Sequence, residues 1–206
     1  MKLLVATRSE HKMREIRKIL ASVPNLEVVS PEEAGVEYRS EEEDLEPFET
    51  FEENAKSKAF YFFHRTGLST VADDSGLEVD ALDGAPGVRT KRFAPGEDLE
   101  GEDRDRANNA HLLRLLKGLP PEKRGARYVC VASLVLSQDR TESFRGEAPG
   151  RVLEEPRGDN GFGYDPVILD ETSGRSFAEL SADEKNAKSH RGRAFRALAR
   201  RLEELT

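Results

Sequence analysis

The apolar residues of this chain come in short periodic blocks, and that limits its fold more than any other feature. The longest block, residues 129–136 with Ser133 inside it, falls far short of the ~20 residues that a membrane-spanning helix needs. No block can leave water alone, so the blocks must pack on one another. With 206 residues the chain has the length for one large domain or two small lobes, and for a sizeable core. Residues 2–6, KLLVA, have the length and apolarity of a buried strand. Thr7, Arg8 and Ser9 interrupt that run, and Met13, Ile16, Ile19 and Leu20 then share one face of a helix whose first turn is basic.

The same reading extends along the chain. Residues 26–29 offer a second strand, and residues 31–46 carry eight acids against the single Arg39, the composition of a solvated loop. Thr50 and Glu53 have capping-box spacing, and Phe51, Ala55, Ala59, Phe62 and Phe63 continue a helical face behind it, which predicts a helix over 50–64. Residues 69–72 and 77–82 read as two strands separated by a turn at Asp73-Asp74-Ser75-Gly76. A helix over 104–117, a hairpin of 127–136 with 142–147, an edge strand at 151–153 and a short strand at 167–169 follow. Glycine-rich residues 157–166 form a loop. Ser181 and Glu184 repeat the capping-box spacing before a last helical region reaching Leu205, in which residues 185–201 hold seven Lys or Arg and no acid. No internal repeat or long linker divides the chain, so one domain over 1–206 is expected.

Charge narrows the partners. Thirty-two basic against 40 acidic side chains leave a net charge of -8, which repels phosphate backbones, so nucleic acid is not an expected partner and any phosphate must be held by a local basic site. The single Cys130 excludes an intrachain disulfide and fits a reducing cytoplasm. Four apolar residues between Lys2 and Thr7 are too few for a signal-peptide core, and no segment has the length to cross a membrane.

Phosphate-loop and dinucleotide fingerprints are absent, and the four histidines and one cysteine lack zinc-ligand spacing. A hard, oxygen-bound metal is the one the sequence admits. Asp73 and Asp74 at a strand end can hold Mg²⁺ or orient a water, although Asp-Ser-Gly is equally a turn former. Glu53 is explained by the helix cap as readily as by a metal, and Glu46 by its acidic run. The loop from Thr7 to Lys12 joins hydroxyls, a helix N-terminus and a lysine, a combination that suits an anion, while Thr7 and Ser9 can also serve only as caps. In Phe162-Gly163-Tyr164-Asp165 an exposed ring can stack on a nucleobase and the carboxylate can accept its N–H, or the aromatics can plug the edge of the core. Lys185 and Ser189 fall on one helical face and, with His190 and Arg191, can surround a polar ligand.

Taken in order, Ala6-Thr7-x-x-x-x-Lys12, Phe51-x-Glu53-Asn54-Ala55, Ala72-Asp73-Asp74-Ser75-Gly76-Leu77, Gly84-x-Pro86-Gly87, Gly161-Phe162-Gly163-Tyr164-Asp165-Pro166 and Ser189-His190-Arg191 resemble the Ham1-like non-canonical purine nucleoside triphosphate pyrophosphatases. The resemblance covers nearly the whole chain. It departs from the family pattern at Ser9, where an Asn is usual, and at Arg89-Thr90-Lys91, where the family segment is smaller and partly aromatic.

The resemblance implies an α/β fold with a long curved mixed sheet and flanking helices forming two lobes around a central cleft, commonly as a homodimer. It implies Mg²⁺-dependent hydrolysis of ITP, dITP or XTP to the monophosphate and pyrophosphate. Carried onto matching positions, Asp74 is the water-activating base and a metal contact, and Glu46 is the other metal acid. Thr7, Arg8, Ser9, Glu10, His11 and Lys12 bind the triphosphate with help from Ser75, and Phe162, Gly163, Tyr164, Asp165, Lys185, His190 and Arg191 enclose the nucleoside. A site that hydrogen-bonds the 6-oxo group can reject the 6-amino analogue by as much as ~10⁴. The alternatives are a Maf-like pyrophosphatase acting on other nucleotides and a noncatalytic nucleotide-binding module.

Overall fold

The computed structural model describes residues 1–96 and 99–205. Its strands are β1 (Lys2–Val5), β2 (Glu27–Val29), β3 (Ser69–Val79), β4 (Gly125–Ser137), β5 (Arg140–Val152), β6 (Ile168–Asp170) and β7 (Arg175–Ser176), and its α-helices are α1 (Glu10–Leu20), α2 (Phe51–Thr66), α3 (Gly101–Leu115), α4 (Ala182–Lys188) and α5 (His190–Glu203). The strands form one mixed seven-stranded sheet in the order β2-β1-β3-β4-β5-β6-β7. β1 runs parallel to β2 and β3, whereas β6 is antiparallel to β5 and β7. This is the open mixed α/β sheet with flanking helices that the resemblance implies.

The described residues fall into two compact units. One contains Met1–Ser75, Cys130–Gly146 and the residues from His190 onward, and the other contains Gly76–Val129 and Glu147–Ser189. In the first unit the two-residue period of the strands divides the core into two faces. Leu3, Val5, Val71 and Cys130 pack with Ile16 of α1 and Phe195 of α5, whereas Leu4, Ala6, Ala72 and Val135 pack with Ala59 and Phe62 of α2. Both faces are covered, which is why these strands are nearly unbroken apolar runs. In the second unit Leu77, Tyr128 and Ile168 pack with Leu112 and Leu116 and with Phe177.

Several expectations change in the structure. Asp73-Asp74-Ser75-Gly76 is not a turn between two strands: β3 runs through it without a break. The buried carboxylates find partners in other elements, and those contacts override the local preference of Asp and Ser for turns. The separate edge strand at 151–153 is the end of β5, and the hairpin closes through Gln138 and Asp139. The final helical region is two helices, because Ser189 is extended (φ -65°, ψ 155°) as the C-cap of α4, so Lys185 and Ser189 do not share a helical face. The acidic segment contains a short 3₁₀ turn, Ser40–Asp44, and part of its charge is paired rather than solvated. Among the described residues no helix is long and apolar enough to cross a membrane.

Candidate active site

Adjacent residues of a strand face opposite sides, and on β3 this separates the two acids. Asp73 points to the side of α1 and α5, and Asp74 to the side of α2. Both are nearly sealed from solvent, at 2% and 5% exposure. Lys12 Nζ lies 3.0 Å from Asp73 Oδ2, and the Nε and Nη2 of Arg191 donate to the same oxygen at 3.4 Å. Arg191 Nη1 donates to Glu15 at 2.6 Å and its Nη2 to Ser75 Oγ at 3.1 Å. Burial alone would raise the Asp73 carboxyl, but the Lys12, Arg191 and Lys58 charges overcome it and hold the group well below the usual carboxylate range.

Asp74 has the opposite electrostatics. Asn54 Nδ2 donates to Asp74 Oδ2 at 3.0 Å, and the Ser75 N–H donates to Oδ1 at 2.8 Å. Asn54 is itself fixed by a paired contact with the backbone of Phe48, accepting its N–H at 2.8 Å and donating to its carbonyl at 3.1 Å. Burial and the Glu46 charge push the Asp74 carboxyl up, against the smaller pull of Lys58, Lys12 and the Asn54 bond. Glu46 is held by the Lys58 ammonium. Burial would lower Lys58, yet Glu46, Asp73 and Asp74 keep its ammonium charged. One cation thus faces three carboxylates.

The loop entering α1 is ordered by its own hydroxyls. The Ser9 N–H donates to Thr7 Oγ1 at 3.2 Å and the Lys12 N–H to Ser9 Oγ at 3.4 Å, which caps the helix and aims its first turn. Lys12 is buried, while the side chains of Glu10 and His11 lie in an exposed turn. Arg8 turns toward the acidic segment, where Glu42 accepts from Nε at 3.0 Å and from Nη2 at 2.8 Å and Glu32 accepts from Nη1 at 2.5 Å. Glu53 belongs to the cap of α2, where it accepts the Thr50 hydroxyl at 2.6 Å.

In the second unit the glycine loop divides its two rings. Tyr164 is buried in the core and donates to the Thr90 carbonyl at 2.8 Å. Phe162 stays 37% exposed, with Lys185 Nζ 4.4 Å from its ring centroid, a cation–π contact. Asp165 is directed into the loop rather than outward: Oδ2 accepts the Phe162 N–H at 2.9 Å and Lys185 Nζ at 2.8 Å, and Oδ1 accepts Tyr128 at 3.2 Å. A Cβ on Gly161 would lie 2.1 Å from Asp165 Oδ2, so glycine is required for this closure. His190 and Arg191 open α5 in the first unit and are buried.

The Ham1 family model matches residues 3–201. The chain belongs to the Ham1 family. A relative named dITP/XTP pyrophosphatase from Frankia alni is 47% identical over 206 residues, covering 100% of this chain and 98% of the relative. The solved Ham1 protein of Coxiella burnetii superposes with a TM-score of 0.86 at 33% identity, over 99% of each chain. A structure from Mycobacterium abscessus titled nucleoside-triphosphatase / dITP/XTP pyrophosphatase gives a TM-score of 0.73 at 40% identity, covering 96% of this chain and 98% of that one.

Within the Ham1 pattern, Ser9 replaces the usual Asn without loss of the cap, since Ser and Asn are comparable N-cap residues. Thr90, in the other departing segment, accepts Tyr164 on its carbonyl and the Leu77 N–H on Oγ1. Sequence reasoning gave no role to Lys58, Asn54 or Glu15. A signal existed for two of them: Asn54 and Lys58 are one helical turn apart beside Ala55 and Ala59, a polar pair on the apolar face of α2.

Proposed function

We propose that this Ham1 protein hydrolyses the non-canonical purine nucleotides ITP, dITP and XTP to the monophosphate and pyrophosphate, with Mg²⁺, and that it acts as a cytoplasmic homodimer. The observation that carries the reading is the division of labour between Asp73 and Asp74: one acid is neutralised by two cations, and its neighbour is buried with a raised carboxyl beside Glu46. The names of the relatives support the substrate class.

The donor set fits Mg²⁺. Glu46 and Asp74 offer only oxygen, and Mg²⁺ is typically held by one or two carboxylates with water and substrate phosphates completing the shell. Bound there, the ion would lower the pKa of a water and neutralise charge on the departing oxygens.

The chain's own residues supply the rest. Asp74 Oδ takes the proton of the attacking water, and a raised carboxyl is the stronger base for it. Asn54 fixes the plane of that carboxylate. Lys12, carried on the first turn of α1, exchanges Asp73 for phosphate oxygens and stabilises the leaving pyrophosphate. Arg191 then keeps Asp73 compensated. Phe162 offers a stacking face, and Lys185, steadied by Asp165, is a donor beside it for a purine oxygen.

Incubation with Mg²⁺ and a panel of ITP, dITP, XTP, GTP, ATP, dTTP and UTP, assaying pyrophosphate and orthophosphate separately, tests the proposal. Pyrophosphate is expected from the 6-oxopurine set ahead of ATP and the pyrimidines. Preference for dTTP or UTP, or binding of ITP without product, overturns it.

A further inference from the structure

The exposed ring of Phe162 is set by helix α3. Asp105 and Asn109 lie one turn apart on that helix and grip the same loop residue from both ends. Asp105 Oδ2 accepts the Gly163 N–H at 2.7 Å, and Asn109 Nδ2 donates to the Gly163 carbonyl at 3.0 Å. Gly163 sits at φ +64°, a conformation glycine adopts without strain. On its other side the Phe162 N–H is tied to Asp165. The peptide groups flanking Phe162 are therefore fixed, and with them the direction of its side chain.

Stability alone does not account for this grip. Asn109 Oδ1 is buried and finds no hydrogen-bond partner among the described residues, so the side chain carries a desolvation cost. Burial also raises the Asp105 carboxyl, as do the Asp165 and Glu102 charges, while the Gly163 N–H opposes the shift. Both side chains are held in unfavourable surroundings while they keep Gly163 in place.

We infer that Asp105 and Asn109 are positioning residues for the nucleobase: by fixing Gly163 they set the pose of Phe162, and so govern affinity for the 6-oxopurine rather than the hydrolytic step. The inference rests on the reading of the Phe162 loop as the base-stacking element. Neither residue lies in the motifs that carry the family resemblance.

Steady-state kinetics on the full chain with ITP and Mg²⁺ test it through Asp105→Ala, Asn109→Ala, Asp105→Asn and Phe162→Ala. The alanine variants at 105 and 109 are expected to raise KM about tenfold with kcat within about twofold. Asp105→Asn, which retains an acceptor for the Gly163 N–H, restores most of the affinity. Because Asp105 and Asn109 act through Phe162, adding either change to Phe162→Ala costs little more. A raised KM in Phe162→Ala beside normal values in Asp105→Ala and Asn109→Ala overturns this inference alone, as do fully additive effects. A normal KM in Phe162→Ala removes the stacking reading and the inference with it. Asp105 is only half-buried, so its variants carry the test if Asn109→Ala does not fold.

Discussion

Asp73 and Asp74 are chemically identical neighbours, and their surroundings make them opposites. Asp73 compensates Lys12 and Arg191, so Asp73→Asn would leave two buried cations facing a neutral amide. A loss of about 3–5 kcal/mol in unfolding free energy is expected, the cost of breaking a buried pair from one side. Asp74→Asn removes a carboxylate that burial and Glu46 disfavour, and its one oxygen can keep the contact with either Asn54 or the Ser75 N–H but not both. Relief from burial and the Glu46 charge offsets the one lost acceptor, so its unfolding free energy should fall far less than that of Asp73→Asn, while pyrophosphate release falls by about 10²–10⁴, the usual worth of a general base. Denaturant unfolding and single-turnover kinetics on the two variants check both halves. A stable, active Asp73→Asn or a fully active Asp74→Asn would reverse the assignment. Composition and spacing singled out this acid pair without ranking its members, and the resemblance alone favoured Asp74; the physical reason for the ranking lies in partners 61 and 118 positions from Asp73.

At the scale of elements, periodicity located nearly every strand and helix. In β3 the partners of the buried acids prevailed over the local preference of Asp and Ser for turns, whereas between α4 and α5 the extended Ser189 follows the local preference of Ser for helix ends. Close packing of α5 on β5 is another contact that sequence could not reveal. A Cβ at Gly146 would stand 2.2 Å from the His190 carbonyl oxygen and 2.5 Å from the Ala194 N. Gly146→Ala must push the first turn of α5, which carries His190 and Arg191, away from β5. A destabilisation of about 1–3 kcal/mol is expected, the range for overpacking, and thermal unfolding measures it. An unchanged melting temperature would mean that α5 yields at no cost.

Across the molecule, acid sensitivity follows from its paired carboxylates. Burial opposes the ionised forms of Asp73 and Asp170, yet Lys12 and Arg191 hold the first well below the ordinary range, and Lys188, Ser173 and Thr172 hold the second. Their folded pKa values lie under the unfolded value of about 3.9, so their stabilisation is complete above that pH and declines as pH falls through the folded values. Unfolding free energy should therefore hold steady from neutrality to about pH 5 and drop steeply below about pH 4. Asp73→Asn should flatten that drop, which urea titrations across pH can establish. An equally steep fall in that variant would assign acid sensitivity to other groups.

Sequence by itself determined the sheet-and-helix alternation, the caps at Ser9, Thr50 and Ser181 and the ordered motifs that point to the family, because each depends on residues a few positions apart. The tertiary structure decided which acid is neutralised, that Phe162 is exposed while Tyr164 packs, that Asp165 closes its own loop, and that Lys58 stands among three carboxylates. These depend on charges and donors contributed by distant segments, and at short range in a poorly solvated interior such neighbours outweigh any local preference.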